Sequence, residues 1–157
     1  MSPLPGKIAR LARSISAAQA RPDDAWAAAR LNGGELRVYR GMDPRDREHG
    51  LRVARALLAA CPQARPELVA AAILHDCGKS IRTYRVWERV AVGLVPYRVG
   101  HALPWQPLEL RFNHPEVGAG LVRAAGGREE VARLIERHHA PAGDPEAELL
   151  YRFDHLE

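Results

Sequence analysis

Seven side chains in this sequence are of the kinds that hold divalent cations: His49, the doublet His75-Asp76, His114, the doublet His138-His139, and Asp154. Imidazole and carboxylate without thiolate suit Mn, Fe, Co, Ni or Zn rather than Ca. Any one histidine on an apolar face reads as an ordinary core or surface residue, and His101 and His155 are left as such. Convergence changes that reading. Burying each polar group without a partner costs about 1–3 kcal/mol, and one metal ion satisfies several of them at once.

The residues between these groups predict helices that aim them inward. His49 opens a helix whose apolar stripe runs through Val53, Leu57 and Ala60. His75-Asp76 ends a stripe of Leu68, Ala72 and Ile73, and His138-His139 ends one of Val131, Leu134 and Ile135. Asp154 lies one turn beyond Leu150. Most of these polar residues continue an apolar face at i+3 or i+4, so they face a core.

Helices are expected at 5–19, 23–31, 44–60, 66–76, 82–95, 115–125, 128–139 and 145–156. Asp43-Pro44 and Asp144-Pro145 place an N-cap acceptor before a first-turn proline, and Asn113-His114-Pro115 is a looser version. Asn32-Gly33-Gly34 and Gly126-Gly127 mark stops. Glu35 to Gly41 fits either a short extended piece or a helical turn. Pro104 and Pro107 make Val99–Phe112 an irregular loop. Long polar–apolar alternation is missing, so the chain reads as an all-α single domain, residues 42–157, with an N-terminal helical extension, residues 1–41.

Composition narrows the function classes. The 157 residues are 46% hydrophobic and 27% charged, which excludes a disordered tail or a disulfide scaffold. The longest apolar run, Leu68 to Leu74, is far shorter than the roughly 20 residues of a bilayer span. Cys61 and Cys77 are too few for a disulfide framework, and a reducing, cytoplasmic setting is the simple reading. The net charge of +4 is lopsided: residues 1–21 carry Lys7, Arg10, Arg13 and Arg21 and no acid, so the rest is neutral. A neutral body argues against a nucleic-acid-binding domain or a single-strand nuclease. In the basic leading segment Ile8, Leu11 and Ile15 form an amphipathic stripe. It fits a helix docked on the domain, a transit peptide or an anionic-surface anchor.

His49, His75-Asp76 and Asp154 match the H…HD…D pattern, and the sequence resembles the HD-domain metal-dependent phosphohydrolases. The string Ala72-Ile73-Leu74-His75-Asp76-Cys77-Gly78-Lys79 is close to that family's "LLHDIGK" form. His114-Pro115-Glu116-Val117-Gly118-Ala119 and Ile135-Glu136-Arg137-His138-His139 are similar to the additional histidine motifs of its two-metal branch. That branch contains cyclic-dinucleotide phosphodiesterases and symmetrical dinucleoside-tetraphosphate hydrolases. The resemblance covers about residues 42–157 and implies an HD-type helical bundle.

The resemblance implies roles. His49, His75, Asp76 and Asp154 would hold a first ion. Asp76 would bridge to a second, completed by His114, His138 and His139. The ions would be one or two divalent transition metals, Mn or Fe foremost, with Co, Ni and Zn also fitting. Two such ions roughly 3.5–4 Å apart lower the pKa of a shared water and clamp a phosphoryl oxygen during in-line attack. Asp76 and Lys79 are the candidate catalytic residues. Lys79 either approaches the phosphate or leaving oxygen, or is an ordinary helix C-terminal cation. Arg45, Arg47, Arg82 and Arg85 flank the motifs with forks that fit phosphate, though each alone also reads as a solvated surface residue. Cys77 is assigned to packing. The expected substrate is a small nucleotide, hydrolysed at a phosphoester or phosphoanhydride, with no stable nucleic-acid partner; a homodimer is left open. One motif of the family, the GYP string of a cyclic-dinucleotide subgroup, is missing, so the pattern does not select among nucleotides. The rival reading is an inactive nucleotide-sensing or protein-interaction HD module.

Overall fold

The computed structural model describes residues 20–81, 95 and 106–157, and side chains from 112 onward in the last stretch. The expected helix 5–19 and all but the last residue of 82–95 lie outside the described residues, as do Ile8, Leu11, Ile15, Arg82, Arg85 and His101.

Among the described residues the chain forms seven α-helices, one 3₁₀ segment and no strand. They are α1 (Asp24–Ala28), α2 (Gly33–Arg40), α3 (Pro44–Ala60), α4 (Pro66–Leu74), the 3₁₀ segment (Cys77–Ile81), α5 (Gln106–Ala124), α6 (Glu129–Arg137) and α7 (Pro145–Leu156). The all-α reading holds. No described helix is long and apolar enough to cross a membrane.

Local chemistry sets most starts. Asp43 accepts from the Arg45 backbone ahead of Pro44, and Asp144 accepts from the Glu146 and Ala147 backbone ahead of Pro145. Each satisfies a donor that the first helical turn leaves open. Asn32 corrects an expectation. It starts α2 instead of stopping α1, because its side chain accepts from Glu35 N while the Glu35 carboxylate accepts from Asn32 N. That reciprocal box draws Glu35 to Arg40 into a helix and settles the ambiguity there. The expected stop at Gly126-Gly127 is present: Gly126 has φ +76°, and Gly127 N donates back to Val122 O.

Several boundaries differ from expectation. Helix α1 ends at Ala28, short of residue 31, and α6 ends at Arg137, so His138 and His139 sit in a turn beyond it. Helix α4 ends at Leu74, so His75 and Asp76 sit in a turn and not on the helix. Helix α5 begins at Gln106, inside the expected loop, and runs through Pro115, where a start was expected. Pro107 falls in the first turn, where its missing N–H costs nothing. Pro115 gives up one interior bond, and packing of α5 on α6 and on the 3₁₀ segment carries the helix through it.

One core joins the elements. Leu51, Val53 and Leu57 of α3 pack with Leu68 to Leu74 of α4, Val131, Leu134 and Ile135 of α6, and Leu150 of α7. Ala27, Leu31 and Tyr39, upstream of residue 42, belong to the same cluster. Helix α4 is buried along its whole length from Leu68, and His75 follows at the core's centre with no exposed surface.

Candidate metal centre

The turn after α4 places His75 and Asp76 where α3, α5, α6 and α7 converge. Two close backbone approaches allow this. A Cβ at Gly50 would overlap the Ile73 carbonyl oxygen, so glycine beside His49 lets α3 lie against α4. A Cβ at Gly78 would overlap the His114 carbonyl oxygen, so the 3₁₀ segment lies directly on α5. Gly118 faces Gly78 across that contact, with Cys77 Sγ beside it. Cys77 is buried there and burial pushes its thiol up to about 12, so it packs and does not react.

Seven expected residues come together. One nitrogen or carboxylate oxygen from each of His49, His75 and Asp76 lies within 4.8 Å of the others, and the same holds for His114, His138 and His139. The Asp154 carboxylate joins the first group: its Oδ1 is 2.9 Å from His49 Nε2 and 3.2 Å from His75 Nε2. Asp76 faces both groups. Its Oδ2 is 3.7 Å from His75 Nε2, while its Oδ1 is 3.3 Å from His114 Nε2. The imidazoles form a continuous row, with ring centroids 5.2 Å apart for His49–His75, 5.3 Å for His75–His138 and 4.2 Å for His138–His139.

The backbone presets two of these imidazoles. His75 Nδ1 donates to Ala72 O at 2.9 Å, and His138 Nδ1 donates to Ile135 O at 2.6 Å. A carbonyl only accepts, so the proton must be on Nδ1, and in the neutral ring the lone pair is on Nε2. Both Nε2 atoms are therefore aimed into the cluster. His138 Nε2 is buried there with no hydrogen-bond partner among the described residues. A metal cation supplies what that lone pair lacks, and an Nδ1–H held by a carbonyl is the usual support for a ligating histidine. The residues fit divalent ions.

Electrostatics agree. Burial opposes charge on Asp76 and Asp154, yet both carboxyls stay well below the usual range: Asp76 through Lys79 and His75, Asp154 through His75 and His49. Burial also opposes the charged form of His75, but Asp76 and Asp154 outweigh it and push it up to about 9. The negative charge that holds a proton there also draws a metal cation, and the two compete. Across the row, burial and neighbouring imidazoles hold His138 well below the ordinary histidine value. Burial, His114 and Lys79 bring His139 down to about 4. Both are neutral at pH 7, the form in which an imidazole can hold a cation.

Lys79 reaches into the cluster, its Nζ 2.6 Å from Asp76 Oδ2. Burial opposes its charge, and Asp76 and Asp46 more than offset that. Asp46 was not singled out from the sequence. It is a buried carboxylate in the first turn of α3, and its spacing of three residues from His49 was the available signal. Gly50 and Gly78 were equally missed, although each sits one or two residues from a proposed ligand. Arg45 pairs with Asp43, and Arg47 pairs with Asp24 and lies over the Tyr39 ring.

No curated protein and no solved structure matches the chain. The family model of the HD domain matches residues 47–157, a span that contains every residue of the histidine–aspartate cluster. HD domains bind divalent metals and are typically metal-dependent phosphohydrolases. The order His49, His75-Asp76, Asp154 along the chain and their meeting in one buried cluster agree with that match, and this chain belongs to the HD domain family.

Proposed function

We propose that this protein is a metal-dependent phosphohydrolase that cleaves a nucleotide phosphoester or phosphoanhydride. The observation that carries the reading is the placement of Asp76, whose two carboxylate oxygens face two different histidine groups. In this reading His49, His75, Asp76 and Asp154 hold one divalent ion, and His114, His138, His139 and Asp76 hold the other. Bound there, the ions would supply Lewis acidity, lowering the pKa of water and neutralising charge on a phosphoryl group.

Such ions would offset the negative charge that the chain's own residues present to an anionic substrate. Asp76, Asp154 and Asp46 set three carboxylates against two cations, the Lys79 ammonium and the His75 imidazolium. A phosphate approaching that charge alone is repelled. Lys79 has 31% of its side chain exposed, so it lies at the edge of the cluster. His138 and His139 stay neutral and keep their lone pairs available.

The test is a panel of nucleotides, with cyclic dinucleotides, dinucleoside polyphosphates, alarmones and deoxynucleotides included, incubated with protein and Mn or Fe. Release of phosphate or mononucleotide, abolished by a chelator, is the expected result. If no nucleotide turns over while one of them raises the melting temperature, the sensor module replaces the enzyme.

A further inference from the structure

Lys79 and the first candidate ion need the same atom. Lys79 Nζ lies 2.6 Å from Asp76 Oδ2, the carboxylate oxygen on the His75 side, and Asp76 has only 7% of its side chain exposed. The backbone of Lys79 is fixed: its N–H donates to Asp76 O at 3.0 Å, and Gly78 is packed on the His114 carbonyl. The side chain is a flexible four-carbon stem with its flank open to solvent. An ammonium and a divalent cation on one buried carboxylate oxygen repel strongly, since Coulomb energies in a partly buried site far exceed those in water. Of the two, the ammonium is carried by a side chain that is 31% exposed.

We propose that Lys79 is a cation-driven switch: it neutralises Asp76 until a divalent ion takes that oxygen, and is then expelled to the mouth of the site, where it receives an anionic group of the substrate. The switch rests on the metal-dependent reading above and adds an order to it. The cation binds first, and the anion-binding lysine is presented only afterwards.

The sequence supplies an internal reference for the test, because Lys7 and Lys79 are the only lysines. Full-length protein, stripped with a chelator or loaded with Mn, is given trace acetic anhydride, and labelling of the two lysines is compared by mass spectrometry. Metal content is measured on the same samples. Paired to Asp76, Lys79 labels slowly; expelled, it should label at least about fivefold faster relative to Lys7, in line with the access it gains and the loss of the carboxylate that held its proton. A ratio unchanged by bound Mn overturns the switch while leaving the metal site standing. Protein that retains no Mn overturns the metal-dependent reading, and the switch with it. As a second measurement, Lys79→Met should bind Mn about tenfold more tightly than wild type, since a competing charge is gone. Equal or weaker binding counts against the proposal. If that variant does not fold, the labelling of wild-type protein still decides.

Discussion

Two buried ionic clusters lie in this small domain, and they are built on opposite plans. Glu35 has no exposed surface, and both its oxygens are saturated by protein donors. Oε1 accepts from Arg128 N and Nε at 3.0 and 2.9 Å, and Oε2 from Asn32 N and Arg128 Nη2 at 3.0 and 2.8 Å. The pair ties α2 to the turn before α6 and has no capacity left for a ligand. The histidine–aspartate cluster is also buried, and His49, His75 and Lys79 meet its two carboxylates, yet it keeps acceptor capacity that the described residues do not use. His138 Nε2 has no donor, and Asp76 and Asp154 share a few cations among several lone pairs. A charge buried for architecture is satisfied from within; a charge buried for chemistry keeps valence for something from outside.

The sharpest way to break this comparison is at Asp76. Asp76→Ala removes the oxygens that face both histidine groups. Bound metal should fall from about two ions per chain to less than one, and turnover by at least about a thousandfold. His114→Ala should stop at about one ion, because only the second group loses a ligand. Elemental analysis of the loaded proteins checks both. A wild type that holds one ion, untouched by His114→Ala in excess metal, would remove His114, His138 and His139 from the ligand set.

At Glu35 the expected effect is on stability alone. Breaking a buried pair by removing one partner typically costs 3–5 kcal/mol; Arg128 keeps 29% of its side chain exposed, so Glu35→Ala should cost about 2–3 kcal/mol. That corresponds to a melting temperature lower by about 5–10 °C. Metal content per folded chain should not change. Loss of metal in step with stability would mean that the two clusters are not separable.

The smallest effect is the pH dependence of the architectural pair. Burial disfavours the Glu35 carboxylate, but the side-chain and backbone donors of Arg128 and the backbone of Asn32 outweigh it and hold the group below its ordinary 4.5. Between the folded and unfolded values the unfolded chain binds more protons, so stability rises with pH there. The contribution is fully present above pH 4.5 and is lost as the pH falls through the lower, folded value. The urea midpoints of wild type and Glu35→Gln should therefore converge as the pH is lowered. A gap that stays constant to pH 3 would assign the effect of Glu35 to packing and not to charge.

Legibility differed between the two clusters for a physical reason. Most of the metal candidates were readable because they end or open an apolar stripe, and periodicity places such residues on inward faces: Val131, Leu134 and Ile135 lead directly to His138. His114, inside α5, is the exception. Helix α7 was readable to the residue, since Asp144-Pro145 is a complete start signal within four positions of its first turn. Glu35 was not readable as a buried charge, because its partner Arg128 is 93 positions away. Asp46 was hidden in the same way, among the charges of a first turn that looked solvated.

The sequence alone determined the helical class, most helix starts and the set of side chains able to hold cations, because caps, prolines and apolar spacing act within a few residues. Only the tertiary structure decided how that set divides. It ended α4 one residue before His75, carried α5 through Pro115, and used the missing Cβ atoms of Gly50 and Gly78 to bring α3 onto α4 and the 3₁₀ segment onto α5. It also put Lys79 on Asp76 and took Arg45 and Arg47 to Asp43 and Asp24. These are outcomes of packing between segments far apart in the chain, where close approach and burial outweigh the local preferences that a sequence displays.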